Sequence, residues 1–366
     1  MKFKTEKENI INELQSLAAV ADKKQTLPVL SNVLIKCEES SVKLQSTDLE
    51  VELEVEIFNA NIEQIGEITI PAKKVADIVR ELPDGEVCFD YDDGSSKLTL
   101  RSKAGRYSFS TISAGDFPEF DSVRSENIYS IHAAKLLKFF QKTSFAMGSA
   151  DWRHFLNGSF IEKSLNSLKI TTTDSHRLAQ YTEGFEGEGD FSGIIPRKTC
   201  IELMKILSKE EGEIQFYIND NNIAFMSKNF TFKSKLIDGN YPDVSSVIPD
   251  GSGSSITLDR KDFINTLSRV SVLSNDKFKA VKLLTHGDKL QVSAHNPSQE
   301  SAEEELKYSG FKTDEAPFDM TFNVNYLRDV LSTIEDDEIT IIRSGKGSLI
   351  KSGDPNQIIV LMPLLL

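Results

Sequence analysis

Ile70-Pro71-Ala72-Lys73-Lys74 opens a helix-like run, and the same device returns as Ile195-Pro196-Arg197-Lys198, 125 residues later. Two further landmarks keep nearly that spacing. Thr47-Asp48-Leu49 recurs as Thr173-Asp174-Ser175 after 126 residues, and Phe117-Pro118 recurs as Tyr241-Pro242 after 124. Three markers in one order at one offset point to duplicated domains. After each Ile-Pro pair, apolar residues fall at i, i+3, i+4 and i+7, as Val75, Ile78, Val79 and Leu82 and again as Cys200, Leu203, Met204 and Leu207. That period places one stripe of an amphipathic helix on a core. Leu327, Val330, Leu331 and Ile334 repeat it after Phe322-Asn323-Val324, which gives a third and fainter copy.

Working outward, a chain of 366 residues accommodates three units near the commonest domain size. Polar stretches at 122–127 and at 250–255, the latter reading DGSGSS, are candidate linkers. We therefore expect domains at 1–123, 124–250 and 251–366. An earlier helix in each is expected near 10–19, 133–143 and 262–273. Alternating segments such as 51–57, 97–100, 107–111, 168–172, 230–236 and 289–294 carry the period of two that marks half-buried strands. Helices are too few for alternating βαβ units, so the expected class is α+β, with two helices per unit packed on antiparallel sheets.

Composition excludes other classes. The start, MKFKTEKEN, lacks the apolar core of a secretion signal. The longest apolar run, the nine residues 358–366, is about half of the roughly 20 that a membrane-spanning helix needs. Cys37, Cys88 and Cys200 have no metal-type spacing and read as buried thiols of a reducing, cytoplasmic protein. Catalytic motifs fail as well. Asp174, Ser175 and His176 are the residue types of a hydrolase triad, but neighbours on a strand point to opposite faces. Arg343 to Ser348 lacks the first glycine of a phosphate loop and has Gly after its lysine. Asp92-Asp93-Gly94 reads as a hairpin turn. No catalytic residue, metal or cofactor is expected.

Charge is more telling than these motifs. The chain carries −14 overall, yet its six helix segments sum to +9 and leave −23 elsewhere. If each helix has one face in a core, the opposite faces, with Lys135, Lys138, Lys142, Lys198, Lys205 and Lys209, form a positive surface that attracts phosphates without reading bases. Lysines kept on helix faces for solubility would give the same pattern.

The order TLPVLSNVL (26–34), TDLEVE (47–52), IPAKK (70–74), GDFPEF (115–120), FLNGSFIE (155–162), TTDSHRLA (172–179), IPRK (195–198), KLIDGNYPDV (235–244), LSNDKFKAV (273–281), HNPSQESAEEE (295–305) and VLMPLLL (360–366) resembles the β sliding clamps, processivity subunits of bacterial replicative DNA polymerases. The resemblance runs the length of the chain. It implies three clamp domains per chain and a ring of two chains joined head to tail around duplex DNA, bound without regard to sequence. Positions similar to the family's DNA-facing ones are Lys24, Arg80, Lys103, Arg153, His154, Lys198, Lys205 and Lys277.

The resemblance also implies two protein contacts. At the subunit joint, Glu300, Glu303, Glu304 and Glu305 of the third unit would face Lys74, Lys103 and Arg106 of the first. Tyr107 and Phe109 would pack on Val272 and Leu273, although these four are equally compatible with ordinary cores. The second contact is a pocket for short peptides of the polymerase catalytic subunit, the clamp loader and other proteins with a clamp-binding motif. Leu156, Thr173, Ser175, His176, Leu178, Pro242, Val247, Tyr326, Ser348, Val360, Met362, Pro363 and Leu364 match its lining. A terminal strand buried in the third core is the plainer reading of the last four. Leu365 stands where some members carry a basic residue. An acidic scaffold binding only proteins, or a hydrolase using Asp174 or His176, are the alternatives from other classes.

Overall fold

The computed structural model describes residues 1–21, 27–120, 127–310, 318–344 and 347–365. Among these residues all strand pairs in the four sheets are antiparallel, and the chain divides into two compact units that each contain one large and one small sheet. The first unit comprises Met1–Leu137 and Lys198–Leu236, the second Lys138–Arg197 and Ile237–Leu366.

In the first unit the large sheet has eight strands in the order Tyr129–His132, Glu213–Ile218, Asn222–Met226, Phe230–Lys235, Val51–Ile57, Val42–Thr47, Asn32–Cys37 and Gly66–Pro71. It is thus shared by the first two repeats, joined where Val51–Ile57 pairs with Phe230–Lys235. The small sheet ends on Gly105–Ser110, an edge strand with one neighbour. The second unit repeats the plan. Its eight strands run Phe191–Pro196, Gly158–Ser164, Ser167–Thr173, Arg177–Gly184, Gln357–Leu361, Gly347–Lys351, Glu338–Ser344 and Ser255–Asp259, and its four-stranded sheet ends on the edge strand Ser301–Lys307.

Among the described residues six α-helices accompany the sheets, at α1 (Ile11–Val20), α2 (Ala72–Glu81), α3 (Ala133–Thr143), α4 (Arg197–Leu207), α5 (Arg260–Val270) and α6 (Val324–Ser332). The periodicity locates them within a residue or two except for α5, whose expected last turn is a separate 3-10 turn, Ser271–Leu273. Each stripe enters a core. Val75 and Val79 of α2, Cys200, Leu203 and Leu207 of α4, and Leu327, Val330 and Leu331 of α6 are all buried, each larger side chain contributing about 1.5–3 kcal/mol.

The fainter third copy has a local cause. Pro71, Pro196 and Asn323 each end the strand that leads into a helix, after the buried Ile70, Ile195 and Phe322. Proline fixes φ for helix entry, whereas Asn323 starts α6 by accepting hydrogen bonds from the backbone N–H of Asn325 and Tyr326 at 2.9 and 3.4 Å. The same geometry is reached by different chemistry.

The DGSGSS stretch, expected as a linker, is an ordered one: Arg343 N donates to Ser254 O at 2.9 Å, and a side chain on Gly253 would stand 1.5 Å from Arg343 O. One expectation is corrected. Lys142, expected on a solvated helix face, is buried, with Nζ donating to Thr333 O at 2.7 Å and Glu335 Oε1 at 3.3 Å.

Candidate functional site

The repeated Thr-Asp landmark is a turn. Thr173 Oγ1 donates to Arg177 O at 2.7 Å, and Asp174 Oδ1 accepts from the N–H groups of His176 and Arg177 at 2.9 and 3.0 Å. These bonds hold Ser175 at a φ of 74°, a left-handed conformation that a non-glycine residue adopts only when its surroundings compel it. The Asp174 carboxylate is therefore occupied by backbone and by Arg177, and no triad forms.

Beyond the turn, Leu178 sits opposite Val360 in the ladder with Gln357–Leu361, and both are buried. Met362 N continues the pairing to His176 O at 2.8 Å, and Leu364 N reaches Thr321 O at 2.7 Å. The terminal stretch is thus a strand with an ordered continuation. From another direction the 3-10 turn His154–Leu156 delivers Leu156. Gly148 is required there, because its N–H donates to Leu156 O at 2.9 Å and an added Cβ would lie 2.8 Å from that oxygen.

These elements line an open, mostly apolar cavity of about 330 Å³. Eight of the expected residues line it, namely Leu156, Thr173, Ser175, Leu178, Pro242, Val247, Val360 and Met362. Arg153, Phe155, Arg177, Asp243 and Val244 complete it and were not anticipated as lining. Arg177 follows directly on the Thr-Asp turn, a position that could have signalled it.

Charged groups at the cavity are fully engaged. Arg177 donates to Asp174 Oδ2 at 3.1 Å and to Asp329 Oδ2 at 2.5 Å, with its guanidinium 4.4 Å from the Tyr326 ring centre. Arg153 grips Asp151 through two bonds of 3.0 and 2.8 Å and holds that carboxyl down at about 2. Tyr241, stacked on Phe160 at 4.9 Å, has its phenol pKa pushed up by burial. Such a cavity suits an apolar anchor fixed by a few polar groups.

The remaining expected pocket residues lie outside this lining. His176 and Tyr326 stack on each other with ring centres 6.0 Å apart. Pro363 and Leu364 are half-buried in the terminal continuation. Ser348 is fully buried with its hydroxyl on Met320 Sδ at 3.3 Å, because its strand turns that side chain into the core.

Four of the eight cations proposed to face DNA, Arg80, Arg153, Lys198 and Lys205, have carboxylate partners. Arg80 pairs with Asp77 and Glu81 at 3.3 and 3.1 Å, and Lys205 with Glu202 at 2.9 Å. Lys198 spans from α4 to Val20 O and Asp48 Oδ2 at 2.7 and 2.5 Å, which makes it a tie within the first unit. Arg153 is a wall of the cavity. His154, Lys103 and Lys277 are exposed, the last 5.2 Å above the Phe278 ring. Lys24 lies outside the described residues.

Of the expected joint residues, Lys74 and Arg106 are exposed, Tyr107 is half-buried and Phe109 is buried. Val272 is 77 % exposed, which excludes a core role for it, and Leu273 is half-buried. Glu303 is exposed on the edge strand, whereas Glu304 faces α5 and accepts from Arg269 at 2.8 and 2.6 Å. Glu305 bonds Lys289, and Glu300 accepts from Asn296 at 2.6 Å.

Comparison with known proteins agrees across the whole chain. Residues 1–121, 130–243 and 245–363 match the N-terminal, central and C-terminal domains of the DNA polymerase III beta subunit. The beta sliding clamp of Pseudomonas putida is 35 % identical over 373 residues, covering all of both chains, and that of Escherichia coli K12 is 32 % identical over 97 % of this chain and 96 % of its own. Among solved structures, DNA polymerase III subunit beta from Pseudomonas aeruginosa has a TM-score of 0.89 at 34 % identity. The DnaN sliding clamp from Bartonella birtlesii, bound to griselimycin, has a TM-score of 0.93 at 33 % identity, and both structures cover all of each chain. With its three domains matched in order over its length, the chain belongs to the DNA polymerase III beta subunit family, the β sliding clamps.

Proposed function

We propose that two copies of this chain close head to tail around duplex DNA and that the cavity beside Leu178 and Val360 docks short peptide segments of the replicative polymerase, the clamp loader and other replication proteins. One observation carries the reading: in a chain whose family match spans its length, eight of the thirteen residues expected of a peptide pocket line one mostly apolar cavity. On this reading the same cavity would also take griselimycin, the ligand bound by the sliding clamp from Bartonella birtlesii. Domain limits at 1–123, 124–250 and 251–366, a cytoplasmic location and the lack of catalytic activity belong to this reading. No helix among the described residues is long and apolar enough to cross a membrane.

Holding DNA by topology asks little of any one phosphate contact. That fits cations already tied to carboxylates, since strong release of counterions would oppose sliding. The test is retention. The protein loaded on circular DNA should remain bound through gel filtration and be lost once the circle is linearised; retention on the linear form would overturn the ring.

Closure needs a joint, and among the described residues two edge strands of opposite character are suited to it. Gly105–Ser110 carries Arg106 with Lys103 beside it, and Ser301–Lys307 carries Glu303 and Glu305. A basic edge meeting an acidic one favours head-to-tail pairing, and two such contacts close. The exposed Val272 and its neighbour Leu273 would be covered by Tyr107 of the second copy. Val272→Ala with Leu273→Ala should turn a species of two chains into a folded monomer in sedimentation. Persistence of the dimer would remove these residues from the joint.

A further inference from the structure

The cavity lies at one junction between repeats, and the chain has a second junction of the same construction. Thr47 Oγ1 donates to Val51 O at 2.8 Å, as Thr173 does to Arg177 O. Asp48 Oδ1 accepts from Glu50 N and Val51 N at 3.0 and 2.8 Å, as Asp174 does from His176 and Arg177. Leu49 has a φ of 75°, beside 74° at Ser175. Lys235 N donates to Glu50 O and Met362 N to His176 O, both at 2.8 Å. Leu30 is buried ahead of its strand as Leu156 is. The backbone frame of the pocket is therefore built twice in each chain.

The side chains at its floor differ. The register that sets Leu178 opposite Val360 sets Glu52 opposite Lys233 at the first junction. Glu52 is only 1 % exposed, and Oε1 accepts from Lys233 Nζ at 2.7 Å while Oε2 accepts from Gln45 Nε2 at 2.6 Å. Lys233, 21 % exposed, also stands 5.9 Å from the centre of the Phe120 ring. Where one junction offers apolar surface to a ligand, the other offers a carboxylate and an ammonium already satisfied by each other.

We propose that the Glu52–Lys233 pair acts as a specificity determinant that closes the first-junction copy of the pocket and confines peptide docking to one site per chain. An apolar anchor entering there would have to separate or desolvate the pair, which costs more than burial of the anchor returns. Partner number would thus be fixed at two per ring by a single cross-strand pair, with the duplicated backbone left intact. This inference rests on the peptide-pocket reading above.

Native mass spectrometry with griselimycin as the probe tests it. The wild-type chain should bind one molecule. Glu52→Leu with Lys233→Val and Lys235→Met, which gives the first junction the residues found at 178, 360 and 362, should bind two. The reciprocal variant, Leu178→Glu with Val360→Lys and Met362→Lys, should bind none while keeping the wild-type circular dichroism spectrum. A folded first variant that still binds one molecule, or a reciprocal variant that still binds its one, overturns the proposal. A wild-type chain that binds none overturns the pocket reading instead.

Discussion

Lys233→Val alone should destabilise the protein by about 3–5 kcal/mol, seen as an earlier first transition in urea. The loss is expected because Glu52 stays buried with one neutral partner, Gln45, and has no route to water without breaking the ladder between Val51–Ile57 and Phe230–Lys235. Its carboxyl group would be left without a counter-ion in a site built for a neutralised pair. Adding Glu52→Leu should restore wild-type stability or exceed it by about 1–4 kcal/mol, since a buried ion pair is often no better than packed apolar groups of similar volume. Glu52→Leu alone should cost less than Lys233→Val, because the partly exposed lysine regains water by a change of rotamer. Equal losses for the two single variants would contradict this account, as would a double variant weaker than either.

Much of this architecture is legible in the chain, for a physical reason. Helix stripes and strand alternation depend on local geometry, so Val75 with Val79, or Leu327 with Leu331, state their burial by spacing alone. Turn chemistry is equally local. The Thr-Asp pair recurs because its side chains must meet N–H groups two and three residues away. Pairings over long separations are less legible. Nothing in the spacing of Lys198 says that Asp48, 150 residues earlier, will receive it, or that Lys142 will reach Thr333. Charge counted by segment therefore found the cationic helices and overstated how many of those cations are free. The family resemblance supplied most of the pocket residues, but not Arg153 or Arg177 as its walls, and it placed Ser348 beside a cavity that its strand turns it away from.

Arg177→Ala is expected to weaken griselimycin binding at the pocket by about tenfold to a hundredfold, or about 1.4–2.8 kcal/mol, with a smaller loss of stability. The side chain is 10 % exposed and joins three elements, taking Asp174 from its own turn, Asp329 from α6 and the faces of Tyr326 and Phe145, whose ring centres lie 4.4 and 5.7 Å away. The turn itself should survive, because Asp174 Oδ1 is held by backbone N–H groups that the substitution leaves in place. The wall of the cavity should not. Without the guanidinium the cavity loses the side chain that ties its turn to α6, and a preformed pocket becomes one that binding must order, at a cost of about 0.5–1.5 kcal/mol for each side chain immobilised. Arg177→Lys should recover little, since one ammonium cannot bridge two carboxylates and lie flat on an aromatic ring at once. Calorimetric titration of the three proteins decides it. Wild-type affinity in Arg177→Lys would show that charge alone suffices and that the planar bridge between the turn and α6 does not hold the pocket open.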